Sequence, residues 1–318
     1  MSEPEERSIT IAELVAILSS RLPIATESSP EVLARHFLKS SRVQKLGLAL
    51  SGFAGKIHRG RIQIYGNSER SYLERLTPDE VAAAYGRLDR ENISCIFVTA
   101  AIKPTVDLSS FAAENEIPLI TTPTPSSDTI AALAEVLAEA LAPERTLHGT
   151  LVNVFGIGVL ITGESGIGKS ECALDLISRG HRLISDDAVR VKHIGERIIG
   201  SAPDNIRDYL EIRGLGIINA RELFGVSALS PSAEVRFCIA FTELSATANN
   251  DRLGLEPGVE PILGVDVQKY EIPVRPGRNL ATLVEAAVRV FVSRLGGAKA
   301  VEKLIAQHDQ AVAVTGSE

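Results

Sequence analysis

The run Gly163-Glu164-Ser165-Gly166-Ile167-Gly168-Lys169-Ser170 meets the pattern G-x-x-x-x-G-K-[ST] at every required position. The apolar stretch Gly158-Val159-Leu160-Ile161-Thr162 reads as a strand entering it. Ser170-Glu171-Cys172-Ala173-Leu174-Asp175-Leu176-Ile177 reads as a helix leaving it. Strand, glycine turn and helix start together commit this region to an α/β unit. They also aim backbone N–H groups and the positive end of a helix at one point, which is an anion cradle. A glycine turn that binds nothing needs neither flank. The sequence therefore predicts binding of a nucleotide or another polyphosphate, with Lys169 on the β/γ-phosphates and the Ser170 hydroxyl on Mg2+.

A chain of 318 residues has room for two domains, each with its own core. Its net charge of −7 argues against a general nucleic-acid binder, whose affinity depends on basic surface. No apolar run approaches the ~18 residues of a membrane helix. The acidic start Met1-Ser2-Glu3-Pro4-Glu5-Glu6-Arg7 lacks a signal-peptide core. The expectation is a soluble cytoplasmic protein with no membrane and no nucleic-acid partner. Cys95, Cys172 and Cys238 form no C-x-x-C pair, so buried thiols are expected rather than disulfides or a zinc site.

The first third predicts helices over residues 9–22 and 30–38, the latter capped by Ser29 with Pro30 at its first position. Short apolar runs at 46–50, 62–65, 95–99 and 117–122 suggest the strands of an α/β layer. A helix over 129–141, capped by Asp128, closes this part. The domain boundary falls between residues 133 and 146, giving an N-terminal α/β domain over 1–135 and a phosphate-loop domain over 136–318. The second opens with strands at 150–154 and 158–162. Its last strong element is a helix over 280–295, stopped by Gly296-Gly297 and followed by a frayed tail at 311–318.

Phosphate-loop enzymes need a carboxylate on a neighbouring strand end. Asp186 and Asp187 follow Arg182-Leu183-Ile184-Ser185, on a strand expected to return alongside the loop. Alternation along a strand should split the pair, one acid toward the phosphate and the other toward metal or scaffold. A second anion site is expected at Arg275-Pro276-Gly277-Arg278-Asn279, a proline-stiffened basic turn before a helix. Glu211 and Arg213, in Glu211-Ile212-Arg213-Gly214-Leu215-Gly216-Ile217-Ile218-Asn219, offer a metal ligand and a phosphate partner. Arg252 and His148 carry weak signals on pattern alone.

These segments together resemble the HPr kinase/phosphorylase family, bacterial enzymes that phosphorylate a serine of HPr, the phosphocarrier of the sugar phosphotransferase system. The match comprises His148-Gly149, GIGVLITGESGIGKSECALDLISRGHRLISDDAV at 156–189, EIRGLGIIN at 211–219, DRLGLE at 251–256 and PVRPGRN at 273–279. The N-terminal third resembles the family's first domain through residues 41–53 and 61–67. Position by position, the resemblance implies that residues 163–170 hold ATP and that Lys169 is catalytic. Ser170 and Glu211 would ligate Mg2+, and Asp187 would accept the proton of the HPr serine hydroxyl, with His148 and Arg252 completing the site. Residues 210–219 would serve both directions of reaction. Pro273-Val274-Arg275-Pro276-Gly277-Arg278 would serve dephosphorylation, in which phosphate attacks phosphoserine and leaves as pyrophosphate. Departures at Thr150 and Ser185 lie beside the named positions and leave them standing. The resemblance also implies a phosphoenolpyruvate carboxykinase-like catalytic core, a homohexamer and control by a glycolytic bisphosphate.

Other phosphate-loop classes fit less well. A Ras-like switch needs N-K-x-D, and the chain has no Asn-Lys pair; an ABC-type ATPase needs an L-S-G-G-Q-like signature, also absent. A small-molecule phosphotransferase related to phosphoenolpyruvate carboxykinase would not carry the first domain or PVRPGRN.

Overall fold

A computed structural model describes residues 7–53, 57–243, 257–275 and 277–295. The chain divides into two compact units, Met1–Pro143 and Glu144–Glu318. Arg252 with the rest of 251–256, Pro276, Gly296-Gly297 and the tail lie outside the described residues.

In the first unit, strands Val43–Lys45, Arg61–Tyr65, Ile93–Val98 and Leu119–Thr121 run parallel in sequence order, with Ala25–Thr26 antiparallel at the edge. Period-two alternation assigns their side chains to two cores. Tyr65, Ile96 and Val98 meet helices Pro78–Gly86 and Val106–Glu114 on one face. Ile62, Ile64, Cys95 and Phe97 meet helices Ile11–Leu18 and Ser126–Ala140 on the other. Both faces are covered, so the central strand Ile93–Val98 is buried at all six positions.

Several boundaries differ from expectation, each for a local reason. The apolar run at 46–50 is a short helix, Gly47–Leu50, and the strand is Val43–Lys45 before it. Leu46 and Leu50 are fully buried while Leu48 is 60% exposed, which fits helical spacing; in a strand all three would share a face. The first helix starts at Ile11 because Thr10 and Glu13 form a capping box, the Glu13 N–H donating to Thr10 Oγ1 at 3.2 Å and the Thr10 N–H to Glu13 Oε2 at 2.9 Å, and it ends at Leu18. Ser29 caps the second helix, which ends at Arg35 since Phe37–Leu38 pairs antiparallel with Ile9–Thr10. The helix expected from residue 129 begins at Ser126, placing Asp128 in its first turn rather than at its cap.

The second unit is built on the strand Ile157–Thr162. It pairs antiparallel with Thr150–Val154 and parallel with the long strand Ser232–Glu243. Ser232–Glu243 pairs parallel with Val265–Val274 on its other side. Phe155 and Gly156 join Thr150–Val154 to Ile157–Thr162 with φ of 54° and 84°, the positive pair a two-residue hairpin turn requires. Val159, Ile161, Phe237, Ile239 and Phe241 face helices Lys169–Ser178 and Leu280–Leu295. Leu160, Val235 and Cys238 face the opposite core, with Val189 and Ile198. Ala281, Val284, Ala287, Val288 and Phe291 form the buried stripe of Leu280–Leu295; each large side chain buried there contributes about 1.5–3 kcal/mol. Strand Arg182–Ser185 returns in the same sheet, paired antiparallel with Thr150–Val154, one strand removed from the strand that feeds the glycine loop. All three cysteines are buried and unpaired with one another.

Candidate functional site

The glycine loop leaves Thr162 and enters helix Lys169–Ser178 through backbone that only glycine adopts without strain. Gly163, Gly166 and Gly168 have φ of 142°, 81° and 104°. A Cβ on Gly163 would lie 2.6 Å from the Phe241 carbonyl oxygen, so this glycine also lets two parallel strands approach. The buried Lys169 folds back along the loop, its Nζ donating to the carbonyls of Gly163 and Glu164 at 2.9 Å each.

The two aspartates sit just past strand Arg182–Ser185, and they part company there. Asp186 is buried; its Oδ1 accepts from Thr150 Oγ1 at 2.7 Å and its Oδ2 from the Glu211 N–H at 3.3 Å. It therefore ties the hairpin of Tyr209–Ile212 and Gly216–Asn219 to the sheet. Asp187 turns outward with φ 66°, a left-handed conformation uncommon outside glycine but best tolerated by Asp and Asn. The side chains of Asp187 and His148 are 70% and 55% exposed, and Asp187 Oδ1 lies 3.2 Å from His148 Nδ1. Register explains the pairing: His148 stands opposite Ala188 in an antiparallel ladder, and the Gly149 N–H donates to the Asp187 carbonyl at 3.0 Å. The split between the acids comes from this one left-handed residue, beyond the strand, rather than from alternation within it.

These groups surround a cavity of about 210 Å³ lined by His148, Ser165, Gly166, Gly168, Lys169, Ser170, Glu171, Asp186, Asp187, Glu211 and Arg213. Arg213 reaches over the loop, with Nη1 3.0 Å from where a Cβ on Gly166 would stand. Gly163, Glu164 and Ile167 form the loop without lining the cavity. The donor set fits a nucleotide-borne Mg2+: such an ion keeps phosphate and water oxygens and takes only one or two protein ligands. Among the described residues no group of three or more His, Cys, Asp or Glu gathers as a self-sufficient metal site. Burial pushes the Cys172 thiol, on the loop helix, up to about 12, so it stays a protonated packing group.

The arginines of the second expected anion site, Arg275 and Arg278, are not in the lining of this cavity. The Arg278 N–H donates to the Arg275 carbonyl at 3.2 Å, and Gly277 has φ 82°, a turn with glycine at its left-handed position. Next in the chain, Leu280 Cδ1 comes within 3.2 Å of a Cβ placed on Gly168, so the helix after the turn starts against the last loop glycine. Asn279 caps that helix, its Oδ1 accepting from the Thr282 N–H at 2.8 Å. The neighbouring Asp175 carboxyl is held below its ordinary value by hydrogen bonds from Arg179 and Asn279 that outweigh its desolvation. A depressed folded-state value adds stability above the unfolded pKa of about 3.9, lost as pH falls through the folded value. Thermal melts from pH 5 to pH 2.5 should therefore fall less steeply for Asp175→Asn than for the parent; identical slopes would remove this contribution.

Sequence reasoning passed over one contributor: Thr150, treated as a bystander, holds Asp186, the acid that turns toward the scaffold, and Asp186 in turn holds the Glu211 N–H. The signal available was a hydroxyl opening one strand and an acid ending another, but their adjacency required the strand order.

The family described as HPr Serine kinase C-terminal domain matches residues 139–308, and that described as HPr Serine kinase N terminus matches residues 9–137. An HPr kinase/phosphorylase of Geobacter sulfurreducens is 44% identical over 255 residues, covering 80% of this chain and 80% of its own. One from Clostridium perfringens is 38% identical over 280 residues, covering 88% and 89%. One from Caldanaerobacter subterraneus is 42% identical over 271 residues, covering 84% and 88%. The solved Hpr(Ser) kinase/phosphatase from Coxiella burnetii is 38% identical and covers 50% of this chain and 98% of its own, with a TM-score of 0.46.

Proposed function

Because the chain belongs to the HPr kinase/phosphorylase family through both of its domains, we propose that it phosphorylates a serine of HPr with ATP and reverses the modification with inorganic phosphate. The observation that carries the reading is the exposed Asp187 carboxylate, paired with His148 and sharing one cavity with Lys169 and Ser170.

In the forward direction the serine oxygen forms a bond to the γ-phosphorus while the bond to the β-phosphate bridging oxygen breaks. A neutral hydroxyl is a weak nucleophile, so its proton passes to Asp187 as the new bond forms. His148 orients that carboxylate. Loop N–H groups, Lys169 and Arg213 offset charge spread over the transferring phosphoryl group. Mg2+ adds to that charge compensation when bound, with Ser170 and Glu211 as its protein ligands. In reverse, a phosphate oxygen attacks the phosphoserine phosphorus, the bond to the serine oxygen breaks, and protonated Asp187 returns its proton to that oxygen. Pyrophosphate leaves, so one acid serves both directions.

Family resemblance supports a phosphoenolpyruvate carboxykinase-like core for residues 136–318, a homohexamer and a cytoplasmic location. It also supports Arg252 in the active site. No helix among the described residues is long and apolar enough to cross a membrane. Incubation with Mg2+, ATP and HPr should add one phosphate to an HPr serine by mass spectrometry, and excess phosphate should then yield pyrophosphate and unmodified HPr. Hydrolysis of ATP without modification of HPr would overturn the reading.

The arginine turn belongs to the reverse reaction, where a second anion must be held beside the phosphate loop. Arg275→Ala should lower phosphorolysis at least tenfold and kinase activity less than threefold, the loss of one charged contact being about 1.5–3 kcal/mol. Equal losses in both assays would remove the assignment.

A further inference from the structure

The helix that follows the glycine loop and the turn that carries the arginines are joined by one side-chain cluster. Arg179 Nε donates to Asp175 Oδ1 at 3.0 Å and its Nη2 donates to Oδ2 at 2.9 Å, an i,i+4 bidentate pair at the end of the loop helix. Such a pair alone on a helix surface contributes little, because solvent screens it. Here it has a third member. Asn279 Nδ2 donates to Asp175 Oδ2 at 2.9 Å, and Arg179 Nη2 donates to Asn279 Oδ1 at 3.0 Å. Arg179 Nη1 continues to Thr282 Oγ1 at 3.0 Å and Glu285 Oε2 at 3.3 Å.

Asn279 uses both ends of its amide. The nitrogen holds the loop helix, and the oxygen caps Leu280–Leu295 through the Thr282 N–H at 2.8 Å. The amide donates to Asp175 from one atom and accepts from the helix start with another, a span that the single, shorter-reaching hydroxyl of a serine does not cover. Asn279 also follows Arg278 directly, so whatever fixes its side chain fixes the end of the arginine turn.

We infer that Asp175, Arg179 and Asn279 are positioning residues that set the arginine turn against the phosphate loop and thereby tune the use of inorganic phosphate as acceptor. The inference rests on the proposed role of that turn in phosphorolysis. It carries an asymmetry. ATP is held by loop N–H groups and Lys169, which belong to the loop helix itself, so the forward reaction does not pass through the joint. The incoming phosphate is held across it, and slack of an ångström in such a contact weakens binding and attack together.

The test separates the joint from the cap. Asn279→Ser keeps a side chain that caps helices well but cannot reach Asp175 with a donor. The KM for phosphate in phosphorolysis should rise about tenfold, with kinase kcat and the KM for ATP changed less than threefold. Asn279→Asp keeps the cap but sets two carboxylates together, and should raise the phosphate KM further. Asp175→Asn combined with Asn279→Asp restores one amide and one carboxylate facing Arg179, and should bring the phosphate KM back to within about threefold of the parent. A general loosening of the fold would not be rescued by exchanging charges, and melting temperatures report it separately.

Parallel loss of both activities in Asn279→Ser, or an unmoved phosphate KM, would overturn the inference, as would failure of the double exchange to recover. Arg275→Ala distinguishes this from the underlying reading. An unchanged phosphate KM in that variant removes the phosphate role of the turn, and the inference with it. A raised KM there beside an unmoved KM in Asn279→Ser removes the positioning role alone.

Discussion

Asp187→Asn should lower both serine phosphorylation and phosphorolysis by on the order of 10²- to 10⁴-fold, the range that general acid–base catalysis supplies, while leaving ATP affinity within about threefold. The variant is a clean probe because of backbone, not only chemistry. Asp187 sits at φ 66°, and asparagine is the other large-family residue that occupies this region with little penalty. The amide keeps the shape and the contact with His148, yet it can neither take the hydroxyl proton nor give one back. Its side chain is mostly exposed, so no buried charge is left without a partner. Asp186→Asn is the informative contrast. It alters the acceptor that holds Thr150 and the Glu211 N–H, so it should disturb the placement of Glu211 and of the hairpin. Single-turnover transfer to HPr at saturating ATP, with nucleotide binding measured separately, reads the difference. Transfer at the parent rate in Asp187→Asn would end the proton-acceptor role.

What could be read from the chain without coordinates divides along a physical line. The glycine loop was legible to the residue, because its conformation depends on consecutive positions: three glycines with positive φ, a lysine and a hydroxyl at the helix start. The long helix at Leu280–Leu295 was legible for the same reason, its apolar stripe repeating over four turns. The run at 46–50 was misread because five apolar residues satisfy either period, and only the exposure of Leu48 between buried Leu46 and Leu50 decides it. The aspartate pair was located but its division of labour came from an unexpected source, a left-handed residue after the strand. The brace from Thr150 through Asp186 to Glu211, and the joint from Asp175 to Asn279, span 61 and 104 positions of sequence. No local pattern encodes them, since each depends on which strands and helices become neighbours.

The same dependence on neighbours makes Gly158 the position where a single added carbon should do most damage to the second unit. Gly158 stands one residue into the strand that feeds the phosphate loop, between Asn153 on one side and Val235 on the other. The parallel ladder shifts register here: Gly158 pairs with Val235 but Val159 pairs with Phe237, so Arg236 is bulged out. The bulge drives the Glu234 carbonyl inward, and a Cβ on Gly158 would lie 2.2 Å from its oxygen and 3.0 Å from Ala233 Cβ. The obstacle is backbone, which cannot swing away as a side-chain tip can. Gly158→Ala should therefore cost about 3 kcal/mol, a fall in melting temperature of roughly 6–12 °C for a unit of this size. Repair by sliding the strand would move the loop as well, because five residues on Gly163 already approaches the Phe241 carbonyl to the limit; nucleotide affinity should weaken along with stability. Gly156→Ala supplies the comparison. That glycine has φ 84° but open space around it, so the change costs only the left-handed penalty of about 1–2 kcal/mol and spares the loop. If the two variants melt together and bind ATP alike, strand spacing at the bulge does not set the geometry of the phosphate loop.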